Sequence, residues 1–84
     1  MFTAEDAKKA LEQAGIDISD EAYGLDEVAA GMNVELEHGK QFPDLDVTGD
    51  DPVVTAKIAL AHLREFPDYY ERLEVMEREA ESGS

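Results

Sequence analysis

Apolar residues recur at helical spacing in four stretches of the chain, each with its own start and stop signals. In the first, Thr3 stands as an N-cap before Ala4-Glu5-Asp6, which places acids in the positive first turn. Ala7, Leu11 and Ala14 then share a face until Gly15 supplies a C′ stop, predicting a helix over about 4–14. Ile16-Asp17-Ile18-Ser19 reads as a short extended link, too isolated for a sheet, and 20–23 as a turn before Gly24. The second helix is predicted over about 25–38, where Leu25, Val28, Ala29, Met32 and Leu36 form one stripe and Gly39 ends it. Gly31 lies inside this stripe at a cost of roughly 1 kcal/mol relative to Ala. A close helix–helix contact would offset that cost; a plainly tolerated glycine is the alternative.

Asp51-Pro52 opens the third stretch, with Asp as N-cap and Pro at the first helical position. Over 52–65, Val53, Ala56, Leu60 and Leu63 form one apolar stripe, and Val54, Ile58 and Ala61 form a second. A helix apolar on two sides belongs at the centre of a bundle. Phe66-Pro67 breaks it, since the residue before proline is pushed out of the α region. A last helix over about 67–80 presents Tyr69, Tyr70, Leu73, Met76 and Ala80. With no credible strand, the fold class is all-α: a compact bundle of about four helices forming one domain over 1–80, followed by a flexible tail at 81–84.

Charge changes the picture more than size does. The 84 residues hold 21 acids against 7 lysines and arginines, a net charge of −14, yet 43% of them are hydrophobic, so the chain is not compositionally disordered. Such a field repels nucleic acids and anionic membranes, because no cationic stripe is present to displace counterions from phosphates. The absence of cysteine excludes a disulfide scaffold, thiolate zinc sites and a cysteine nucleophile. The acidity itself fits solubility or adaptation to a cytosol of high salt. It also fits docking to a basic partner, including mimicry of a nucleic acid, or the holding of cations. The first residues show neither a basic region nor an apolar one, so a cytoplasmic location is expected.

Three blocks taken together carry a resemblance: 2–9 (Phe2-Thr3-Ala4-Glu5-Asp6-Ala7-Lys8-Lys9), 31–39 (Gly31-Met32-Asn33-Val34-Glu35-Leu36-Glu37-His38-Gly39), and 47–77. The third is the most detailed, with Val47-Thr48-Gly49-Asp50-Asp51-Pro52, Lys57-Ile58-Ala59-Leu60-Ala61-His62-Leu63 and Phe66-Pro67-Asp68-Tyr69-Tyr70. The chain resembles a family of small acidic all-helical proteins of unknown function found in bacteria, archaea and phages. The resemblance implies a self-contained helical domain and supplies no activity, cofactor or site.

Candidate chemistry centres on the two histidines. Glu35-x-x-His38 and His62-x-x-Glu65 each set a carboxylate and an imidazole three residues apart, about 5–6 Å on a helix surface. Helical bundles assemble metal sites from such pairs, so Glu35, His38, His62 and Glu65 are the candidate ligands for iron, manganese or zinc. Glu74 is a further ligand on the last helix, and Tyr69 or Tyr70 would be hydrogen-bond partners behind them. Against convergence, His38 ends its helix while His62 lies ten residues beyond Pro52, roughly 15 Å along the next. A simpler reading places His38 at a negative helix end and makes His62 a core residue paired with Glu65 or a tyrosine. The loop from Asp44 to Asp50 begins like a calcium loop but lacks the closing glutamate, with Thr55 in its place. Serines 19, 82 and 84 sit in no nucleophile elbow, and no glycine-rich phosphate cradle occurs.

These observations favour a binding or accessory protein with no catalytic residues and no expected cofactor, working through a protein partner or as a homo-oligomer. A metal-binding helical protein is the alternative from another class, and an acidic nucleic-acid mimic that binds a basic protein is the second.

Overall fold

A computed structural model describes residues 1–42, 44, 49 and 51–82. Four helices follow one another, α1 (Ala4–Ala14), α2 (Leu25–Gln41), α3 (Pro52–Glu65) and α4 (Tyr69–Ser82), with no strand among the described residues. The start of α1 is a capping box: Thr3 Oγ1 accepts the Asp6 N–H at 3.2 Å, and the Asp6 carboxylate accepts the Thr3 N–H at 2.9 Å. That hydrogen bond from the Thr3 backbone holds the Asp6 carboxyl below the usual range. Gly15 closes the helix at φ 69°, a left-handed position that suits glycine. At the start of α3 the Asp51 carboxylate takes the N–H groups of Val53 and Val54 at 2.8 and 3.2 Å, as the Asp-Pro signal predicts.

Two boundaries differ from expectation. α2 runs through Gly39 to Gln41, because Gly39 does not adopt a positive φ and so gives no C′ stop. The helix ends instead at Phe42 (φ −128°, ψ 75°), the residue before Pro43, where the proline ring disfavours α geometry. α4 begins at Tyr69 rather than Pro67, since the Tyr69 N–H turns back to the Phe66 carbonyl at 2.9 Å. It continues to Ser82, so Glu81 and Ser82 of the expected tail are helical, while Gly83 and Ser84 lie outside the described residues.

The core is built by three helices and one link. Ala7, Ala10 and Leu11 of α1, Val28, Ala29 and Met32 of α2, and Ala56, Ala59, Leu60 and Leu63 of α3 are buried together with Tyr23. Tyr23, read from the sequence as part of a turn, drops its ring into this core, and Ile16 and Ile18 pack against it. α3 touches all three other helices, as α2 does, but not by the two stripes expected. Its first stripe holds, whereas Val54 and Ala61 are exposed and Thr55 and Ala59 are buried instead. Thr55 is tolerated there because its hydroxyl donates to the Asp51 carbonyl at 2.6 Å. The N-terminus is clasped to α2 by one side chain: Asn33 Oδ1 accepts the Phe2 N–H at 2.6 Å and Nδ2 donates to the Phe2 carbonyl at 2.9 Å. No helix among the described residues is long and apolar enough to cross a membrane.

α4 stands apart from this core. It has no buried residue and meets α2 and α3 only through half-buried Tyr69, Tyr70 and Leu73, while Met76 and Ala80 of the expected apolar face lie exposed.

Candidate functional site

The junction of α2, α3 and α4 holds the chain's polar cluster. Glu35, on the third turn of α2, points its carboxylate inward with only 14% of the side chain exposed. Tyr70 reaches across from the first turn of α4 and donates its hydroxyl to Glu35 Oε2 at 2.9 Å. His62 of α3 sets Nε2 3.9 Å from the same oxygen, and His38 sets Nδ1 3.8 Å from Glu35 Oε1. At these separations the imidazoles act on the carboxylate through charge when protonated, not through hydrogen bonds. His62 also stacks on Tyr69, with ring centroids 4.2 Å apart and planes 7° from parallel, and both rings meet Tyr70 edge-on. Burial first, and then the neighbouring Glu35 charge, pushes the Tyr70 hydroxyl well above the ordinary phenol range. Tyr70 is therefore a permanent donor at neutral pH.

Backbone geometry makes room for this tyrosine. An added Cβ at Gly31 would lie 2.8 Å from Tyr70 Cζ and 3.0 Å from the Ala59 Cβ, so the ring occupies the space that a side chain at 31 would need. The close helix–helix contact is thus the reason for a glycine in mid-helix. Gly31 and Glu35 lie one turn apart on α2, the first admitting the ring and the second receiving its hydroxyl. That i, i+4 pairing of a mid-helix glycine with a glutamate is the sequence signal that could have located the docking point of α4.

Of the four residues expected to hold a metal, three are drawn together around Glu35 and one is not. Glu65, the last residue of α3, is exposed and takes part in none of the ion pairs among the described residues. His62 faces Glu35 across the helix pair instead of Glu65 along its own helix. Glu74 is likewise exposed, and no group of three or more His, Asp or Glu among the described residues is disposed to hold a metal ion. Tyr70 fills the expected role of hydrogen-bond partner to Glu35. The loop read against a calcium site falls, apart from Asp44 and Gly49, outside the described residues.

Beside this cluster runs a groove of about 430 Å³ between α2 and α4. Its floor is apolar: Ala30 and Val34 from α2, Leu63 from α3, Tyr70 and Leu73 from α4. Asp26 and Glu27 stand on one rim and Glu71, Glu74 and Glu77 on the other, with no basic side chain in the lining. Glu27 also accepts the Gly24 N–H at 2.9 Å and so starts α2. On the neighbouring face of α4, across Leu73, a smaller concavity is lined by Phe66, Tyr69, Arg72, Leu73 and Met76. The polar cluster thus works as a staple: it fixes the first turn of α4, and that position gives both concavities their α4 wall.

The family described as protein of unknown function (DUF5661) matches residues 7–79. The chain belongs to the DUF5661 family. The matched span contains Gly31, Glu35, His62 and Tyr70 and every residue that lines the groove, so the staple and the groove lie within the family's domain. This agrees with the resemblance to a helical family of unknown function. No curated protein and no solved structure matches the chain.

Proposed function

We propose that this DUF5661 protein is a cytoplasmic binding or accessory protein that works by protein–protein contact through α4. One observation carries the reading: α4 keeps apolar side chains outside the core, with Val75 44% and Met76 59% exposed and Leu73 only half-buried, beside Phe66, 47% exposed at the end of α3. A helix anchored by its first turn that leaves Val75 and Met76 uncovered beyond it gains by laying them against a partner. Its acidic surface keeps so small a domain soluble while that apolar face is uncovered.

The experiment is site-specific photo-crosslinking in the native host, with the crosslinker placed at Met76 or, as a control, at exposed Glu12 on α1. The reading expects one discrete adduct, a second copy or another protein, from position 76 and not from 12, and expects its loss when Val75 is changed to Glu. Equal or absent adducts from the two positions would overturn it.

A further inference from the structure

We propose that the groove between α2 and α4 receives about two turns of a cationic amphipathic helix from a partner protein. The inference rests on the binding-protein reading above and adds the surface and the partner's chemistry.

Length comes first. From Asp26 to Val34 along α2 is eight residues, about 12 Å, and Tyr70 to Glu77 along α4 is seven, about 10 Å. A trough of that length bounded by two helices takes two turns of a third, anchored by side chains at i, i+3 or i+4, and i+7. Ala30 and Val34 are one turn apart on α2 and present little bulk, which leaves the depth for those anchors. Leu73 and Tyr70 supply the α4 side of the same apolar floor.

Charge then selects the occupant. Glu71, Glu74 and Glu77 repeat every three residues and form one row along α4. Neither these three nor Asp26 is engaged in an ion pair among the described residues. Any segment seated on the floor lies between this row and the Asp26–Glu27 rim. Lysines or arginines flanking its apolar face would meet both rims, whereas acidic flanks would meet like charge at close range. A second copy is a poor occupant for the same reason, since each chain carries a net charge of −14.

The test titrates the full chain with a synthetic 14-residue peptide of leucine and lysine patterned as an amphipathic helix. Two comparison peptides are used: the same pattern with glutamate for lysine, and the same composition with leucines alternating at every second position. Binding is followed by amide chemical shifts at physiological salt. The expected result is micromolar binding of the first peptide only, with shifts concentrated at Ala30, Val34, Leu73 and Glu74. Ala30→Trp, which fills the groove from an exposed position, is expected to weaken binding at least tenfold with an unchanged circular dichroism spectrum. Glu74→Lys combined with Glu77→Lys is expected to weaken it by a similar factor and to flatten its salt dependence.

Shifts scattered over the acidic surface, equal affinity for the alternating peptide, or unchanged affinity in both variants would overturn the groove. A concentration-dependent dimer abolished by Ala30→Trp would overturn the cationic helix in favour of a second copy. Crosslinkers at Ala30 and Met76 in the native host separate the two levels: an adduct at 76 alone sinks the groove and leaves the binding reading, and none at either position sinks both.

Discussion

Replacing Gly31 with alanine tests the link between sequence and the placement of α4. In an open helix interior the change is favourable by about 1 kcal/mol, because glycine is the poorer helix former. Here the new Cβ would meet the Tyr70 ring, with Cζ at 2.8 Å, and the Ala59 Cβ at 3.0 Å. The ring has to move, and it is tied to Glu35 by its hydroxyl and to Tyr69 by an edge contact. Loss of a hydrogen bond to a charged acceptor costs about 1.5 kcal/mol at the low end, and loss of an aromatic pair about 0.5 kcal/mol. Set against the gain in propensity, the net destabilisation is about 1 kcal/mol, and crowding against buried Ala59 raises it towards about 3 kcal/mol. For a domain of this size that lowers Tm by about 5–20 °C. The assay is urea unfolding followed by circular dichroism, on Gly31→Ala with and without Tyr70→Ala. In the Tyr70→Ala background the alanine should be close to neutral, so the two changes should couple by at least about 1 kcal/mol. Amide exchange should also show α4 losing protection while α1 and α3 keep theirs. A Gly31→Ala chain more stable than the parent by about 1 kcal/mol, with no coupling to Tyr70, would refute the reasoning.

The remaining predictions follow from single contacts. Tyr70 has its folded pKa raised, so its stabilising effect is complete below the unfolded phenol value of about 10 and declines as pH rises beyond it. Stability should therefore fall above about pH 10 more steeply in the parent than in Tyr70→Phe, by about 1.4 kcal/mol per pH unit, as read by urea midpoints across that range. Asn33→Ala should cost about 1–2 kcal/mol, because it releases both backbone groups of Phe2, and amide exchange at the N-terminus should rise with it. Val75→Glu and Met76→Glu should leave the thermal midpoint of the chain alone nearly unchanged, within about 0.5 kcal/mol, because neither side chain is buried.

The helices were legible where a local signal settles the local backbone. Thr3 and Gly15 bound α1, and Asp51-Pro52 and Phe66-Pro67 bound α3, because each residue acts on its own dihedral or on a nearby N–H. Gly39 misled because a glycine permits a left-handed stop without imposing one, whereas the proline after Phe42 restricts its neighbour sterically. Of the site, the importance of Glu35, His38 and His62 was legible from spacing on single helices. Their partners were not, because these depend on how far one helix slides along the next. His62 meets Glu35 of the neighbouring helix, 3.9 Å from Oε2, and Glu65 is left in solvent.

The same limit explains why the apolar positions of α4 did not show how much of that helix is covered. Periodicity reports that one side of a helix is apolar and says nothing about whether that side is covered. Tyr69, Tyr70 and Leu73 are only partly covered, by α2 and α3, and from Glu74 onwards every residue of α4 is exposed. Covering the rest would require a longer α3 or a fifth element, and α3 has already ended at Phe66. The chain keeps this uncovered helix at a fixed angle with a buried carboxylate, a tyrosine and a glycine, a costly set of residues if α4 were only a trailing end. A staple of that kind is explained by what it holds in place, which is an apolar floor between two acidic rims.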